Sequence, residues 1–220
     1  MTPLLGRTGV LGGTFDPVHE GHIAAAEAAR RALALDQVLF VPSHRPPHRA
    51  VQPRASAFHR FAMISLAVGA HPGFLASDLE LHRPGPSYTA DTLRRLHEAG
   101  FDASQLFFIL GTDAFAEIAT WRDYPAVLDL AHFVVVARPG QALGLMKEQV
   151  SDLVARMRLV ADGAHDVAEG APCAVFLVNA GTPDVSSTEV RERAAKGASL
   201  AGLVAPDVER HIARHRLYHR

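Results

Sequence analysis

The chain has 220 residues, 48% of them hydrophobic, which suffices to bury one α/β core but leaves little room for two. Its formal net charge is −1 at pH 7 and no long run of one charge sign occurs, which excludes a general nucleic-acid surface or a membrane-attracting tail. The single cysteine excludes an internal disulfide and a cysteine zinc cluster, and no apolar run reaches membrane-spanning length, so we expect one soluble, cytoplasmic domain over residues 1–220.

Short β-branched and apolar runs alternate with longer amphipathic segments, a pattern typical of parallel strands joined by crossover helices. This order predicts a Rossmann-like, doubly wound parallel α/β sheet with a small C-terminal helical part. The clearest predicted strands are residues 9–13, 38–41, 106–110 and 132–137, with weaker candidates at 74–77 and 174–178.

Helical periodicity predicts six helices between and after these strands, at residues 20–34, 54–70, 89–99, 142–160, 187–197 and 206–216. Residues 140–172 are rich in glycine, alanine and charged side chains and carry no motif. We therefore expect a peripheral, variable segment there, formed by a helix and a loop. Residues 42–53 contain four prolines and predict a stiff surface loop after the second strand.

The first predicted strand ends at Gly12 and Gly13, which have no Cβ to block a ligand and which precede a predicted helix. In open parallel sheets, ligands bind beyond the carboxyl ends of the strands. His19 and His22 are three residues apart, so both rings should project to one side of that helix. An isolated histidine pair is more often two polar surface residues without a ligand. A zinc site would need a third ligand, for which Asp16 is the nearest candidate.

The run from Gly13 to His22, GTFDPVHEGH, resembles the signature of the HxGH nucleotidylyltransferase superfamily. The resemblance implies that His19 and His22 contact the phosphates of a nucleoside triphosphate and stabilise the transition state. Together with the glycine turn it implies an ATP site formed by residues Gly12, Gly13, Thr14, Phe15, His19 and His22.

A second motif lies near the C-terminus, where Ser186 and Glu189 fit a helix capping box that requires no ligand. The same run, SSTEVR, resembles the second signature of the superfamily, usually written ISSTxxR. That resemblance implies phosphate contacts from Ser187, Thr188 and Arg191, with Arg191 also catalytic. Residues 186–220 would then be C-terminal helices that complete the ATP site.

Motifs in the middle of the chain appear in the order seen in nicotinate-mononucleotide adenylyltransferases: PSHRPPHR from Pro42, PSYTADT from Pro86, GTD from Gly111, Thr120-Trp121 and ARPG from Ala137. The resemblance spans residues 9–218 and implies that Asp113 holds ribose hydroxyls and that Trp121 stacks on a pyridine ring. Each residue also has a structural explanation, since Asp113 could cap a helix and Trp121 could belong to the core.

The same resemblance implies an acceptor site for nicotinate mononucleotide that consists of Ser43, His48, Arg49, Tyr88, Thr89 and Trp121. Thr89 opens a predicted helix whose amide groups suit a carboxylate, which favours nicotinate over nicotinamide. Ser43 departs from the family, in which many members have asparagine at this position.

The predicted reaction is adenylyl transfer from ATP to nicotinate mononucleotide in NAD biosynthesis, with Mg²⁺ carried by ATP and no metal site formed by the protein. Nicotinamide mononucleotide or phosphopantetheine as acceptor, and a non-catalytic nucleotide sensor, are the alternatives. A dinucleotide-dependent oxidoreductase is disfavoured because residues 9–14 do not match GxGxxG.

Overall fold

The computed structural model describes residues 6–46, 52–82, 85–137, 150–160 and 172–219. Seven parallel strands form one sheet in the order β3-β2-β1-β4-β5-β7-β6. The strands are β1 (Thr8–Gly13), β2 (Gln37–Pro42), β3 (Phe74–Ala76), β4 (Leu106–Gly111), β5 (His132–Ala137), β6 (Met157–Val160) and β7 (Val175–Asn179). The predicted doubly wound parallel sheet is therefore confirmed.

Helices cover both faces of the sheet. They are α1 (Glu20–Leu33), α2 (Ala57–Val68), α3 (Thr89–Glu98), α4 (Thr112–Ala116), α5 (Ser187–Ala195) and α6 (Pro206–Arg214). Consecutive residues of the inner strands point to opposite faces, so Leu11 joins a core with α1, α2, α5 and α6, whereas Val10 joins a second core with α3 and α4. Burial on both faces explains why the inner strands are continuous apolar runs.

The chain order places a crevice beyond β1 and β4. From β1 the chain moves outward to β2 and β3, then returns to the other side of β1 to form β4. Residue Gly13 at the end of β1 is level with Pro42 at the end of β2. The connections on the two sides of β1 diverge at this point, which leaves an open crevice at the carboxyl ends of the strands.

The predicted helix at residues 142–160 is wrong in its described part, while residues 142–149 lie outside the described residues. Residues 151–156 form a 3-10 helix and Met157–Val160 form β6, an edge strand paired with β7. In β6 only the first and last residues are buried, so the strand lacks the continuous apolar run that identified its neighbours. No helix among the described residues is long and apolar enough to cross a membrane.

Candidate active site

The end of β1 and the turn that follows it, residues 12–18, are called the β1 turn below and form the floor of the crevice. A Cβ on Gly12 would lie 3.2 Å from the Phe108 ring, and one on Gly13 would lie 3.1 Å from the Phe15 ring. Phe15 adopts a positive φ of 50° and is only 2% exposed. Its ring therefore packs in the core, which leaves only its backbone for contact with a ligand.

His19 and His22, called the histidine pair below, lie together at the start of α1, as the sequence predicts. Their ring centroids are 3.7 Å apart. His19 is the N-cap residue and is 6% exposed, and its backbone N–H donates to Nδ1 of His22 at 3.2 Å. Phe15 supports His22 in an edge-on contact with a centroid distance of 4.9 Å. Both rings are thus held in fixed positions by backbone and core contacts.

Gly21, between the two histidines, is explained by close packing. A Cβ at this position would lie 3.1 Å from the His19 ring and 3.4 Å from the carbonyl oxygen of Pro183. Because a backbone carbonyl limits the space on one side, a larger residue would displace the His19 ring. The glycine therefore allows the segment before α5 to approach the histidine pair.

The start of α5 is attached directly to the β1 turn. Ser187 Oγ donates to the Pro17 carbonyl at 2.9 Å, and Arg191 Nη1 donates to the Asp16 carbonyl at 2.8 Å. Arg191 Nη2 also donates to Oγ1 of Thr188 at 3.0 Å. The two sequence motifs, about 170 residues apart, are thus brought together at one edge of the crevice.

The predicted helix cap at the start of α5 is also present. Oγ of Ser186 accepts the backbone N–H of Glu189 at 3.1 Å. Capping by Ser186 leaves the hydroxyl groups of Ser187 and Thr188 to make the contacts described above, so one short segment both begins the helix and supplies polar side chains to the site. The capping and ligand-binding interpretations of this motif are therefore compatible.

The opposite side of the crevice contains Ser43, Tyr88, Thr89 and Trp121. It is called the acceptor wall below, after the acceptor site that the sequence resemblance implies. Tyr88 is the extended N-cap residue of α3, and Thr89 is the first helical residue. Trp121 packs edge-on against Phe108 at a centroid distance of 5.9 Å and remains partly exposed. One part of the Trp121 ring is therefore packed in the second core while another part lines the crevice, so its packing is compatible with either interpretation.

The remaining predicted site residues differ in how the structure places them. Ser43 is buried, its backbone N–H donates to the Gly13 carbonyl at 2.8 Å, and its Oγ has no hydrogen-bond partner among the described residues. Asp113 is exposed in α4, just beyond the carboxyl end of β4. His48 and Arg49 lie outside the described residues.

Asp16, considered above as a metal ligand, instead joins three parts of the chain. Its carboxylate accepts the backbone N–H groups of Arg54 at 2.8 Å and Ala55 at 3.0 Å, and the hydroxyl of Tyr218 at 2.9 Å. Burial, together with the Asp16 charge, raises the pKa of Tyr218 far above its usual range. In the described ranges no group of three or more His, Cys, Asp or Glu side chains could hold a metal ion.

A second carboxylate, Glu80, organises the acceptor wall and was not identified from the sequence. Its Oε1 accepts the hydroxyl of Thr92, one turn into α3, at 2.5 Å. Burial raises the pKa of Glu80 above its usual range, and hydrogen bonds from Ser87 and Thr92 oppose only part of this effect. Oγ of Ser87 in turn accepts the backbone N–H of His44 at 2.8 Å, which links the start of α3 to the loop after β2.

Comparison with known proteins connects this crevice to a family. A family model described as cytidylyltransferase-like matches residues 10–193. The chain is 39% identical to a probable nicotinate-nucleotide adenylyltransferase of Trichlorobacter lovleyi, over 96% of this chain and 99% of the relative. A probable nicotinate-nucleotide adenylyltransferase of Symbiobacterium thermophilum is 40% identical, over 97% of this chain and 96% of the relative.

The chain belongs to the nicotinate-nucleotide adenylyltransferase family. A solved structure of the Plasmodium falciparum nicotinic acid mononucleotide adenylyltransferase complexed with NaAD superimposes with a TM-score of 0.72, covering 97% of each chain at 16% identity. At that identity the similarity establishes the fold alone. The adenylyltransferase fold and the family resemblance inferred from the sequence motifs are both confirmed.

Proposed function

We propose that the protein transfers the adenylyl group of ATP to nicotinate mononucleotide, producing nicotinate adenine dinucleotide and pyrophosphate in NAD biosynthesis. The observation that carries this proposal is the attachment of α5 to the β1 turn through Arg191 and Ser187. It places a guanidinium, two hydroxyl groups and the histidine pair on one side of a crevice whose other side is the acceptor wall. Such an arrangement can bind two phosphorylated substrates on opposite sides of one crevice, with their reacting groups next to each other.

In the proposed reaction, an oxygen of the 5′-phosphate of nicotinate mononucleotide attacks the α-phosphorus of ATP in line. The bond breaks between the α-phosphorus and the oxygen that bridges it to the β-phosphorus, and the electron pair of that bond leaves with pyrophosphate. No protein nucleophile is required. The protein accelerates the reaction by positioning two anions and stabilising the charge that develops on the α-phosphoryl and leaving oxygens. We assign this role to His19, His22 and Arg191.

The hydrogen bond at Nδ1 of His22 determines which nitrogen of the neutral ring can donate to a substrate. Because Nδ1 accepts the His19 backbone N–H, the neutral ring carries its proton on Nε2. The Nε2–H group is then a donor for a phosphate oxygen, and the backbone contact fixes its direction before the substrate binds. A preorganised donor of this kind requires no rearrangement as charge develops in the transition state.

For the nucleotide we propose a site on the α1 and α5 side of the crevice. The backbone of Gly12, Gly13, Thr14 and Phe15 would pass close to the phosphates and ribose, and the first amides of α5 favour an anion at that helix start. Thr188 and Arg191 are already hydrogen-bonded to each other there. The residues proposed to bind ATP are Gly12, Gly13, Thr14, Phe15, His19, His22, Asp113, Ser187, Thr188 and Arg191.

For nicotinate mononucleotide we propose the acceptor wall. The first backbone N–H groups of α3 lack intrahelical partners and can donate to the carboxylate of nicotinate. The neutral amide of nicotinamide is a weaker acceptor for these N–H groups. Trp121 supplies an aromatic surface for the pyridine ring. The hydroxyl of Ser43 is buried without a hydrogen-bond partner among the described residues, so we assign its substrate contact from the family resemblance. We assign phosphate contacts to His48 and Arg49 because both side chains can bind an anion and both follow the Pro46-Pro47 pair in the sequence.

The nucleotidyltransferase family implies a divalent metal ion, and we propose Mg²⁺ that arrives with ATP. The one buried carboxylate of the β1 turn, Asp16, is engaged by two backbone amides and Tyr218. The side chains near the proposed phosphates are histidine, arginine and hydroxyl groups, which are poor Mg²⁺ ligands compared with phosphate oxygens and water. The ion would neutralise part of the triphosphate charge.

The proposal is tested by measuring pyrophosphate release from ATP with nicotinate mononucleotide, nicotinamide mononucleotide or phosphopantetheine as the acceptor. We expect kcat/KM to be highest with nicotinate mononucleotide. A higher value with either other acceptor would identify that compound as the substrate. ATP binding without pyrophosphate release, with every acceptor, would indicate a nucleotide sensor instead.

A further inference from the structure

Arg60 is a fully buried cation that the proposed chemistry does not use. It lies on the inner face of α2 with Met63, Ile64 and Ala67, and is 1% exposed. Arginine at this depth is unfavourable unless its donors are satisfied, because the guanidinium loses its hydration. Burial accordingly lowers the pKa of Arg60, although arginine stays protonated in proteins.

The guanidinium of Arg60 joins two loops at the carboxyl ends of neighbouring strands. Nη1 donates to the carbonyl oxygen of Thr14, in the β1 turn, at 2.6 Å. Nη2 donates to the carbonyl of Ser43 at 2.6 Å and to that of His44 at 3.4 Å, both in the loop after β2. One rigid planar group thus spans the nucleotide side and the acceptor side of the crevice.

The charges that act on Arg60 come from the same two sides. Asp16 and Glu80 both favour its charged form and oppose the effect of burial on its pKa. Asp16 holds the β1 turn, and Glu80 holds the start of α3 through Thr92. Arg60 is therefore electrostatically coupled to both carboxylates that organise the crevice, while its own side chain has no access to a substrate.

We propose that Arg60 is a positioning residue for the transfer reaction: it sets the distance between the β1 turn and the loop after β2, and thereby between the two reacting phosphates. The proposal rests on the proposed function. In-line transfer depends steeply on geometry, and a displacement of about 1 Å can cost about a hundredfold in rate. Each loop can still bind its own substrate when the connection is lost, so the rate should fall more than either affinity.

The test compares Arg60→Met, which keeps the length but removes the donors, with Arg60→Lys, which keeps a cation that can donate to both loops. Arg30→Met is the matched control, because Arg30 also donates to two backbone carbonyls, those of Leu35 and Pro72. Those carbonyls precede β2 and β3, at the amino ends of the strands and away from the crevice. Thermal unfolding of each variant sets an assay temperature at which all are folded.

We expect Arg60→Met to lower kcat by roughly tenfold to a hundredfold, with binary dissociation constants within about threefold of wild type. Quenching of Trp121, the single tryptophan, reports acceptor binding, and calorimetry reports binding of a non-hydrolysable ATP analogue. Arg60→Lys should recover most of the rate. Arg30→Met should lose stability with kcat unchanged.

The proposal is overturned if Arg60→Met retains wild-type kcat, if kcat and both affinities fall in parallel, or if Arg60→Lys is no more active than Arg60→Met. Where Arg60→Met does not fold, Arg60→Gln, which can donate to only one loop at a time, replaces it under the same criteria. If neither folds, Arg60 serves folding and the proposal fails. A wild-type protein that is inactive with nicotinate mononucleotide contradicts the proposed function, whereas an active wild type with a fully active Arg60→Met contradicts only this inference.

Discussion

The histidine pair shows how a local motif becomes a site with defined donors. From the sequence alone, His19 and His22 could be polar surface residues without a ligand. In the fold, the two rings pack against each other, and a hydrogen bond from the His19 backbone N–H to Nδ1 fixes the orientation of the His22 ring. The proton of the neutral ring then lies on Nε2. This single hydrogen bond fixes the tautomer of the neutral ring and the direction of its Nε2–H group, which we propose donates to a phosphate oxygen.

Replacing His22 with alanine should lower kcat by about a hundredfold or more, because it removes a preorganised donor to charge that develops in the transition state. The fold should persist, since His22 is only partly buried. Steady-state pyrophosphate release and circular dichroism would measure the two properties. His82→Ala is the control, because His82 is exposed and, among the residues that the structure describes, pairs only with Asp78. Near-wild-type kcat in a folded His22→Ala protein would remove His22 from the mechanism.

At the scale of elements, the inner strands were predictable because burial on both faces requires continuous apolar runs. Edge strand β6 was missed because Arg158 and Leu159 are exposed and leave no such run, so helical periodicity was assigned there instead. The glycine turn and the start of α5 were predictable because glycine and capping residues act within a few positions. Arg60 lies among apolar residues of α2, which is the one local signal that could have identified it.

Strand β5 carries a pH-sensitive element at its first residue. His132 is fully buried beside the rings of Phe107 and Phe176, and its Nδ1 accepts the backbone N–H of Ala174 at 3.1 Å. Burial, together with a smaller contribution from the nearby Arg7 charge, lowers the pKa of His132 from 6.5 to about 4. The unfolded chain therefore binds a proton between these pH values that the folded chain does not.

The free energy of unfolding should be highest above pH 6.5 and should fall as the pH decreases from 6.5 to 4, with His132 contributing on the order of 3 kcal/mol of that loss. Urea unfolding at pH 7 and pH 4.5 measures it. The His132→Asn protein should have a lower free energy of unfolding than wild type at pH 7, but its free energy of unfolding should decrease less between pH 7 and pH 4.5. The same comparison for the exposed His82→Asn should show no difference from wild type. An equal acid loss in wild type and His132→Asn would show that His132 does not contribute.

On the scale of the whole molecule, the site depends on contacts between distant parts of the chain. Tyr218 lies 202 positions from Asp16 and still donates to its carboxylate. Such contacts leave no local pattern, which is why Tyr218, Glu80 and the role of Asp16 were not predicted. The family resemblance located the residues proposed to face the substrates, and the fold was needed to find the residues behind them.

Tyr218→Phe should lower the free energy of unfolding by about 1 to 3 kcal/mol, because it removes a hydroxyl donor from a buried carboxylate without changing the ring. The KM for ATP should also rise, since Asp16 holds the β1 turn. Urea unfolding and steady-state kinetics measure both effects. Tyr124→Phe, on a residue packed against the second core, is the control for stability. Unchanged stability and KM in Tyr218→Phe would show that the hydrogen bond from Tyr218 to Asp16 is dispensable for the site.

The proposed function requires that the protein joins the adenylyl group of ATP to nicotinate mononucleotide in this crevice. The most direct measurement uses ATP labelled at the α-phosphorus, with nicotinate mononucleotide in excess, and follows the label by chromatography. We expect all transferred label to appear in nicotinate adenine dinucleotide, with one unlabelled pyrophosphate released for each dinucleotide formed. Label that remains in ATP, or that appears as AMP or ADP without dinucleotide, would contradict the proposed reaction.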